Sequence, residues 1–494
     1  MNITDFFNSF IKYADNNAFC IDENYYTYSD FLKRINGIRL LISSKIPAED
    51  KNVALVANDD IDTYASIFAL WFEGKTYVPL LFNAPQERNV QVVTEAGCNY
   101  VISSKDVSQI LPCKIINSSE AINEEKIAPV IDNPTNNAYI LFTSGSTGKP
   151  KGVPIRLENI FALIESVENA GDVLYASDRV LEMFELTFDL SVISFVHPLL
   201  RGACVYTIPK GEVKNLYIMD LIDMHQLTVM LLVPSVISLL KPYYSEIHSE
   251  SVRLCSFCGE ALLLDSVNEW RQCIPNARIR NYYGPTEDTV YCTYYDVDDN
   301  HQKSYNGAVS IGKSLDSGSC IIVNTDKSKK EILPRGEKGE LCLAGKQLTI
   351  GYWNNDAKTQ EAFFEMNGTT YYRTGDLCFE DQDGDIMYSG RLDFQTKIQG
   401  FRVELSEIEH FANEATTNSV VCVAFTNKLN TSEIGMVVES DSDSDCDTDA
   451  IINHISNHLP SYEVPTAIRV VSSFPLNDNG KINRKELKKL FENE

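Results

Sequence analysis

The sequence predicts an α/β fold: a large N-terminal domain with parallel-type sheets, crossover helices and a β-rich subdomain, followed by a small α+β C-terminal domain. Three observations predict it. Strand-like and helix-like segments alternate through the first half, the pattern of a parallel sheet with crossover helices. Between residues 305 and 391 the pattern shifts to short β-like runs and turns. After residue 393 the chain reads as a self-contained mixture of helices and strands up to residue 494.

Taken in order, NVALVAN (52–58) reads as a buried strand, IDTYASIFALWFEG (61–74) as a helix closed by its glycine, and TYVPL (76–80) as the next strand. Residues 192–208 and 227–240 continue the alternation. SCIIVN, GELCLAG, TYYRTGD and DGDIMYSGR carry the β-rich stretch. A helix near 405–415, strands near 420–425 and 435–439, a helix near 450–458, a strand near 468–471 and a helix after 484 complete the chain. The expected boundaries are a domain over 1–391, β-rich over about 305–391, and a domain over 392–494. A prior of about 150 residues per domain gives roughly three folding units. The acidic run ESDSDSDCDTD (439–449) lacks the glycine of a calcium loop and has Ile452 at the twelfth position, so it reads as a solvated loop.

Lysine and arginine number 43 against 69 acidic residues, a net charge of −26. Nucleic-acid and anionic-membrane binders need a basic surface, which argues against both partner classes. The 13 cysteines are odd in number and scattered, several in apolar runs (Cys20, Cys204, Cys342, Cys422). That fits reduced, buried thiols rather than a disulfide framework. The N-terminus lacks the basic-then-apolar pattern of a signal peptide, and no apolar run is long enough to span a bilayer. The expected compartment is the cytoplasm, with no membrane insertion.

LFTSGSTGKPKG (141–152) carries the first chemistry. An apolar strand (138–142) leads into the hydroxyls of Thr143, Ser144, Ser146 and Thr147. Gly145, Gly148 and Gly152 let backbone amides face an anion, and Lys151 adds positive charge. A helix follows, with Ile160, Leu163, Ile164 and Val167 on one face. A P-loop NTPase would need a hydroxyl residue after Gly148 and Lys149; Pro150 stands there instead, and Gly145 lies too close to Gly148. Alone, the loop reads as a phosphate cradle or as a flexible Ser/Gly hairpin. CSFC (255–258) has the C-x-x-C spacing, but no second pair for zinc and no thioredoxin-like setting.

TSGSTGKPKG resembles the phosphate-binding signature of the adenylate-forming enzymes, the superfamily of acyl-CoA synthetases, luciferases and peptide-synthetase adenylation domains. The further motifs of that family follow in order: FDLS (188–191), NYYGPTE (281–287), GELCLAG…GYW (339–353), YRTGDL (372–377), GRLDFQTKIQGFRVELSEIE (390–409), LPSYEVP (459–465) and NGKINRK (479–485). Together they cover essentially the whole chain.

The resemblance implies attack of a carboxylate on the α-phosphate of ATP, with Mg²⁺ present and charge neutralised by the site. It implies an ATP site made of Thr143, Ser144, Gly145, Ser146, Thr147, Gly148 and Lys151, then Asn281, Tyr282, Tyr283, Gly284, Pro285 and Thr286, then Asp376, Tyr388, Arg391 and Lys481. Lys481 would bridge the carboxylate and the α-phosphate, and Thr286 would contact that phosphate. Glu287 would be the catalytic carboxylate and the Mg²⁺ ligand. Tyr283 would offer its face to adenine, with Asn281 at the polar edge, and Asp376 would accept the ribose hydroxyls. Arg391 would steady ribose and phosphate. Asp393 falls at the hinge about which the small domain turns, withdrawing Lys481 and bringing residues 399–401 to the site for attack by a thiol. Without the resemblance, Tyr283 is a packing ring, Asp376 a turn residue, Arg391 a surface ion pair and Lys481 a solvated turn lysine.

Asp189 stands in the apolar run TFDLSVISF, where a lone carboxylate is costly unless paired. In the amino-acid-activating branch of the family the matching aspartate binds the α-ammonium, so the resemblance implies an amino acid substrate; the plain alternative is an Asp capping the next turn. The matching pocket positions are Leu190, Ile193, Leu231, Ser256, Cys258, Tyr282, Val290 and Tyr291, none of them charged. SFCGEALL (256–263) is most similar to the D-alanine–D-alanyl carrier protein ligases, whose matching cysteine lies by a small side chain. The substrate-binding residues implied are Asp189, Leu190, Cys258, Val290 and Lys481. Tyr282 and Tyr291 are bulkier than that pattern. They either shrink the pocket toward glycine or alanine, or reshape it for an aromatic or hydroxylated amino acid. Glu463 replaces an apolar residue. The chain stops after the small domain, so the expected partners are a small amino acid and a separate phosphopantetheinylated carrier protein. The other reading is a free-standing adenylation enzyme for another amino acid in non-ribosomal peptide assembly.

Overall fold

The alternating runs of the first half become two sheets. The computed structural model of the chain describes residues 1–125, 130–144, 150–298, 302–393, 395–440, 447–476 and 482–491. One sheet has six strands in the order Lys114–Asn117, Tyr100–Ser103, Asn52–Ala57, Thr76–Leu81, Asn137–Thr143 and Lys151–Arg156. All neighbours run parallel except the last pair. The other has nine: Lys313–Ser314, Thr293–Val297, Arg278–Tyr283, Leu254–Phe257, Val229–Leu232, Arg179–Glu182, Cys204–Thr207, Asn17–Ile21 and Asn24–Thr27. Its centre is parallel and its edges antiparallel.

Strands covered on both faces read as continuous apolar runs, which is why VALVA and VMLL show no alternation. A helix apolar all round must be buried, and Ile61–Phe72 is buried from Thr63 onward. Asp60 caps its start by accepting from the Thr63 amide at 2.9 Å, and Gly74 closes it at φ +65°. One core takes side chains from both sheets and from the helices Ile61–Phe72, Leu157–Asn169 and Leu190–Arg201.

The helix expected directly after the phosphate loop is displaced. The strand Lys151–Arg156 intervenes, so the loop spans an antiparallel hairpin and the helix Leu157–Asn169 begins at the far end of that strand. The expected apolar face holds, with Ile160, Leu163, Ile164 and Val167 all buried.

The β-rich part is an antiparallel sheet of Gly318–Val323, Gly339–Gly345, Thr369–Glu380 and Phe363–Met366, with Ile386–Arg391 pairing on Thr369–Glu380. Beyond it the chain forms separate cores around Val420–Thr426, Ser432–Glu439 and Ala467–Val471, with helices Leu405–Ala415 and Thr448–His458. The hairpin Gln395–Ile398 with Phe401–Glu404 leads into this small domain and lies against the large one. Every described cysteine is a free thiol. Among the described residues no helix is long and apolar enough to cross a membrane.

Candidate active site

Strand alternation sorts the site. Along Arg278–Tyr283 successive side chains face opposite sides of the sheet, so Asn281 and Tyr283 share one face and Arg280 and Tyr282 the other. Asn281, Tyr283, Asp376, Tyr388 and Arg391 line one cavity of about 330 Å³ together with Lys397. The Tyr283 hydroxyl donates to Asp376 Oδ2, and Arg391 donates to Asp376 Oδ1 at 2.7 Å. Arg391 also pairs with the half-exposed Asp393 at 2.6 Å. Asn281 Nδ2 donates to the Ser310 carbonyl at 2.9 Å, fixing its amide.

Beside this cavity lies an ion-pair cluster. Glu287 is completely buried on the short turn Thr286–Asp288. Tyr352 donates to its Oε1 at 2.7 Å, Lys151 stands 3.6 Å from the same oxygen, and Arg402 donates to Oε2 at 2.7 Å. Burial alone would raise the Glu287 pKa; the charges of Arg402 and Lys151 and the Tyr352 hydroxyl outweigh it and hold the carboxyl well below its usual range. Burial, aided by the Arg402 charge, lowers Lys151 to about 8. Ser144 donates to the Arg402 carbonyl at 2.8 Å, and the Thr143 hydroxyl is buried with no partner among the described residues. A Cβ on Gly284 would lie 2.3 Å from Tyr291 Cα, so no side chain fits at Gly284; Pro285 follows it. Gly145, Ser146, Thr147, Gly148 and Lys481 lie outside the described residues.

The third group is apolar but for one carboxyl. Asp189 is buried where the helix Leu190–Arg201 starts, and its side chain makes no cap hydrogen bond to the helix's second or third amide. Burial raises it to about 6, against the pull of Thr286 and of the Lys397 charge. Leu190 follows it in the chain, Cys258 feels its charge, and both are buried, as is Val290. Burial pushes the Cys258 thiol up to about 12, so it packs rather than attacks.

Residues 6–353 match the family described as AMP-binding enzyme. The chain belongs to that family. It is 29% identical over 496 residues to the D-alanine–D-alanyl carrier protein ligase of Bacillus licheniformis, covering 97% of each chain. It is 30% identical over 479 residues to tyrocidine synthase 3 of Brevibacillus parabrevis, covering 94% of this chain but spanning 7% of that protein. The solved structure of the Vibrio cholerae adenylation domain AlmE in complex with glycyl-adenosine-5'-phosphate superposes with a TM-score of 0.87 at 27% identity, covering 99% of this chain and 97% of that one.

In this AMP-binding enzyme, residues without an assigned role in the motif reading complete the cluster. Arg402 and Tyr352 saturate Glu287. Glu260 accepts from the Ser235 amide at 2.8 Å and from the Gly400 amide at 2.9 Å, tying the small domain's hairpin to the large domain. The signal was a run of cations and glycine, KIQGFR (397–402), whose partners lie far away in sequence.

Proposed function

We propose that this adenylate-forming enzyme activates a small amino acid, D-alanine first among the candidates, as its aminoacyl-AMP. It then hands the aminoacyl group to the phosphopantetheine thiol of a separate carrier protein. The observation that carries this reading is Asp189: a fully buried carboxyl, bordered by Thr286 and Lys397, made ready to pair with an α-ammonium. The likeness to a D-alanine–D-alanyl carrier protein ligase over 97% of both chains supports the substrate class and the partner. AlmE holds a glycyl adenylate, which supports a small side chain.

In the first step a carboxylate oxygen of the amino acid bonds to the α-phosphorus of ATP, and the bond from that phosphorus to the bridging oxygen breaks to release pyrophosphate. Lys481 bridges the two anions, Tyr283 and Asn281 hold adenine, and Asp376 and Arg391 hold the ribose. In the second step the carrier's thiol loses its proton, its sulfur bonds to the acyl carbon, and AMP leaves.

Mg²⁺ fits the donor set, since it is commonly held by one or two carboxylates together with substrate phosphates, and Glu287 is a buried carboxylate 3.6 Å from Lys151. Bound there, Mg²⁺ would supply charge neutralisation for the phosphates. Both Glu287 oxygens are engaged here by Tyr352 and by Arg402 of the small domain. On this reading the Arg402 contact belongs to the domain arrangement of the second step, and Asp393 to the turn between the two arrangements.

The test is amino-acid-dependent ATP–pyrophosphate exchange with glycine, both enantiomers of alanine, serine and the aromatic amino acids. Exchange led by D-alanine supports the ligase reading. Exchange led by another amino acid supports peptide assembly, the reading favoured by the likeness to tyrocidine synthase 3. No exchange with any amino acid overturns both. Lys481→Ala should abolish adenylation yet retain thioester formation from preformed adenylate.

A further inference from the structure

Below the amino acid site, the sheet carries a floor of side chains that the ATP chemistry does not use. Register places Leu231, Ser256 and Arg280 side by side across three parallel strands, with Tyr282 two residues further along on the same face. The Tyr282 ring stacks on Tyr291, with centroids 4.0 Å apart and planes 22° from parallel. The Tyr282 hydroxyl donates to Asp172 Oδ2 at 2.6 Å and accepts from Arg280 at 3.2 Å. Arg280, 0% exposed, spends its remaining donors on Asp172 at 2.9 Å, on Asp296 at 2.9 and 3.0 Å, and on the Ala170 carbonyl at 2.9 Å. A guanidinium has five N–H donors, so none is left for a substrate.

Tyr291 is fixed from its backbone. Thr289 and Val290 precede it at φ +49° and +70°, and for a β-branched residue such a conformation costs on the order of 1–3 kcal/mol. Gln347 holds the strained segment, donating to the Tyr291 carbonyl at 2.9 Å and accepting the Thr289 hydroxyl on its own carbonyl. The neighbouring cavity reaches Tyr282 and Gly259 but not Asp189, Cys258, Val290 or Tyr291, which are packed closed in this structure.

We propose that Asp172 and Arg280 are positioning residues that clamp the Tyr282–Tyr291 stack as a rigid floor, limiting the acid to a side chain no larger than methyl, glycine or alanine. The inference rests on the amino-acid reading above. An acidic side chain gains nothing from Arg280, whose donors are taken, and a large apolar one meets two immobile rings. Displacing them breaks a buried charge network, the costly kind of disruption.

The experiment compares kcat/KM in ATP–pyrophosphate exchange for glycine, both alanines, serine, leucine and phenylalanine. It uses the wild type, Tyr291→Ala, and Tyr282→Phe, which keeps the ring and cuts it from Asp172. The wild type should favour glycine or alanine over leucine by at least about 100-fold, about 3 kcal/mol. Tyr291→Ala should narrow that ratio at least about tenfold through a lower KM for leucine, and Tyr282→Phe should shift it in the same direction. Equal loss with every acid, the result of a merely structural role, overturns the proposal. So does a wild type that prefers serine, leucine or phenylalanine, which would leave adenylation standing. A wild type inactive with every amino acid removes the amino-acid reading itself.

Discussion

At Asp189 stability and function pull in opposite directions. Burial holds its carboxyl at about 6 against an ordinary 3.8, so the folded chain binds that proton more tightly than the unfolded chain does. Its contribution to stability is therefore full below the ordinary value and lost as pH rises through about 6, a difference of about 3 kcal/mol. Binding an α-ammonium requires the ionised form. Asp189→Asn should accordingly raise the melting temperature at pH 8 and hardly at all near pH 4. It should lower amino-acid kcat/KM by about 3–5 kcal/mol, roughly two to four orders of magnitude, while ATP still binds. In the wild type, KM for the amino acid should rise as pH falls below about 6. Calorimetry and exchange kinetics on the one variant check both signs, and a variant less stable than wild type at pH 8 would sink the argument. This residue was legible because a carboxylate inside an apolar run is locally anomalous. Arg402 was not, because a cation is anomalous only once its partner is known, and Glu287 lies 115 positions away.

Among elements, the hairpin Gln395–Ile398 with Phe401–Glu404 is, on the two-step reading proposed above, the element that selects the half-reaction. Gly400 sits at φ +85°, and a Cβ there would lie 2.7 Å from Val233 Cγ1 and 3.0 Å from the Phe188 ring. Phe401 continues the contact, stacking on Tyr462 at 4.0 Å and facing Phe188 at 5.3 Å. Gly400→Ala adds overpacking of about 1–3 kcal/mol on top of left-handed strain of about 1–2 kcal/mol. Both fall on the docked hairpin, so the variant should slow thioester formation at least about tenfold more than pyrophosphate exchange. Equal slowing of the two steps would mean that this docking serves neither preferentially. Most elements were legible because buried parallel strands and an all-apolar helix declare themselves through long apolar runs. The strand Lys151–Arg156 did not. It is an edge strand carrying Pro154, with Pro150 just before it, and KPKGVPIR therefore reads as loop. The floor of the acid pocket was legible only as two oversized tyrosines, since Asp172 and Arg280 reach Tyr282 through tertiary packing.

For the whole molecule, the two domains meet across a buried cluster of Arg88, Glu407 and Glu463. Arg88 of the large domain donates to Glu407 of the small domain at 3.0 Å, both buried. Glu463, the residue that breaks the apolar pattern of LPSYEVP, lies against them 1% exposed, with Oε2 unpartnered among the described residues. Burial, then the negative charge of Glu407 and of Glu404, push it up to about 8 against the pull of Arg88. The docked arrangement therefore favours the protonated form. Its contribution to docking is full below the ordinary value of 4.5 and lost as pH rises through about 8. A donor–acceptor dye pair spanning the domains should report a docked fraction that falls from pH 5 to pH 8 in the wild type. Glu463→Gln, neutral throughout, should hold that fraction nearly flat. Arg88→Ala removes the guanidinium that faces buried Glu407 and should weaken docking by about 3–5 kcal/mol at every pH above 5. On the proposed reading the thioester step uses the docked hairpin, so its rate should follow the dye signal, while pyrophosphate exchange should not. A flat wild-type signal over that range would show that Glu463 keeps its proton, or its charge, in both arrangements, and the interface would then set the domain orientation without reading pH.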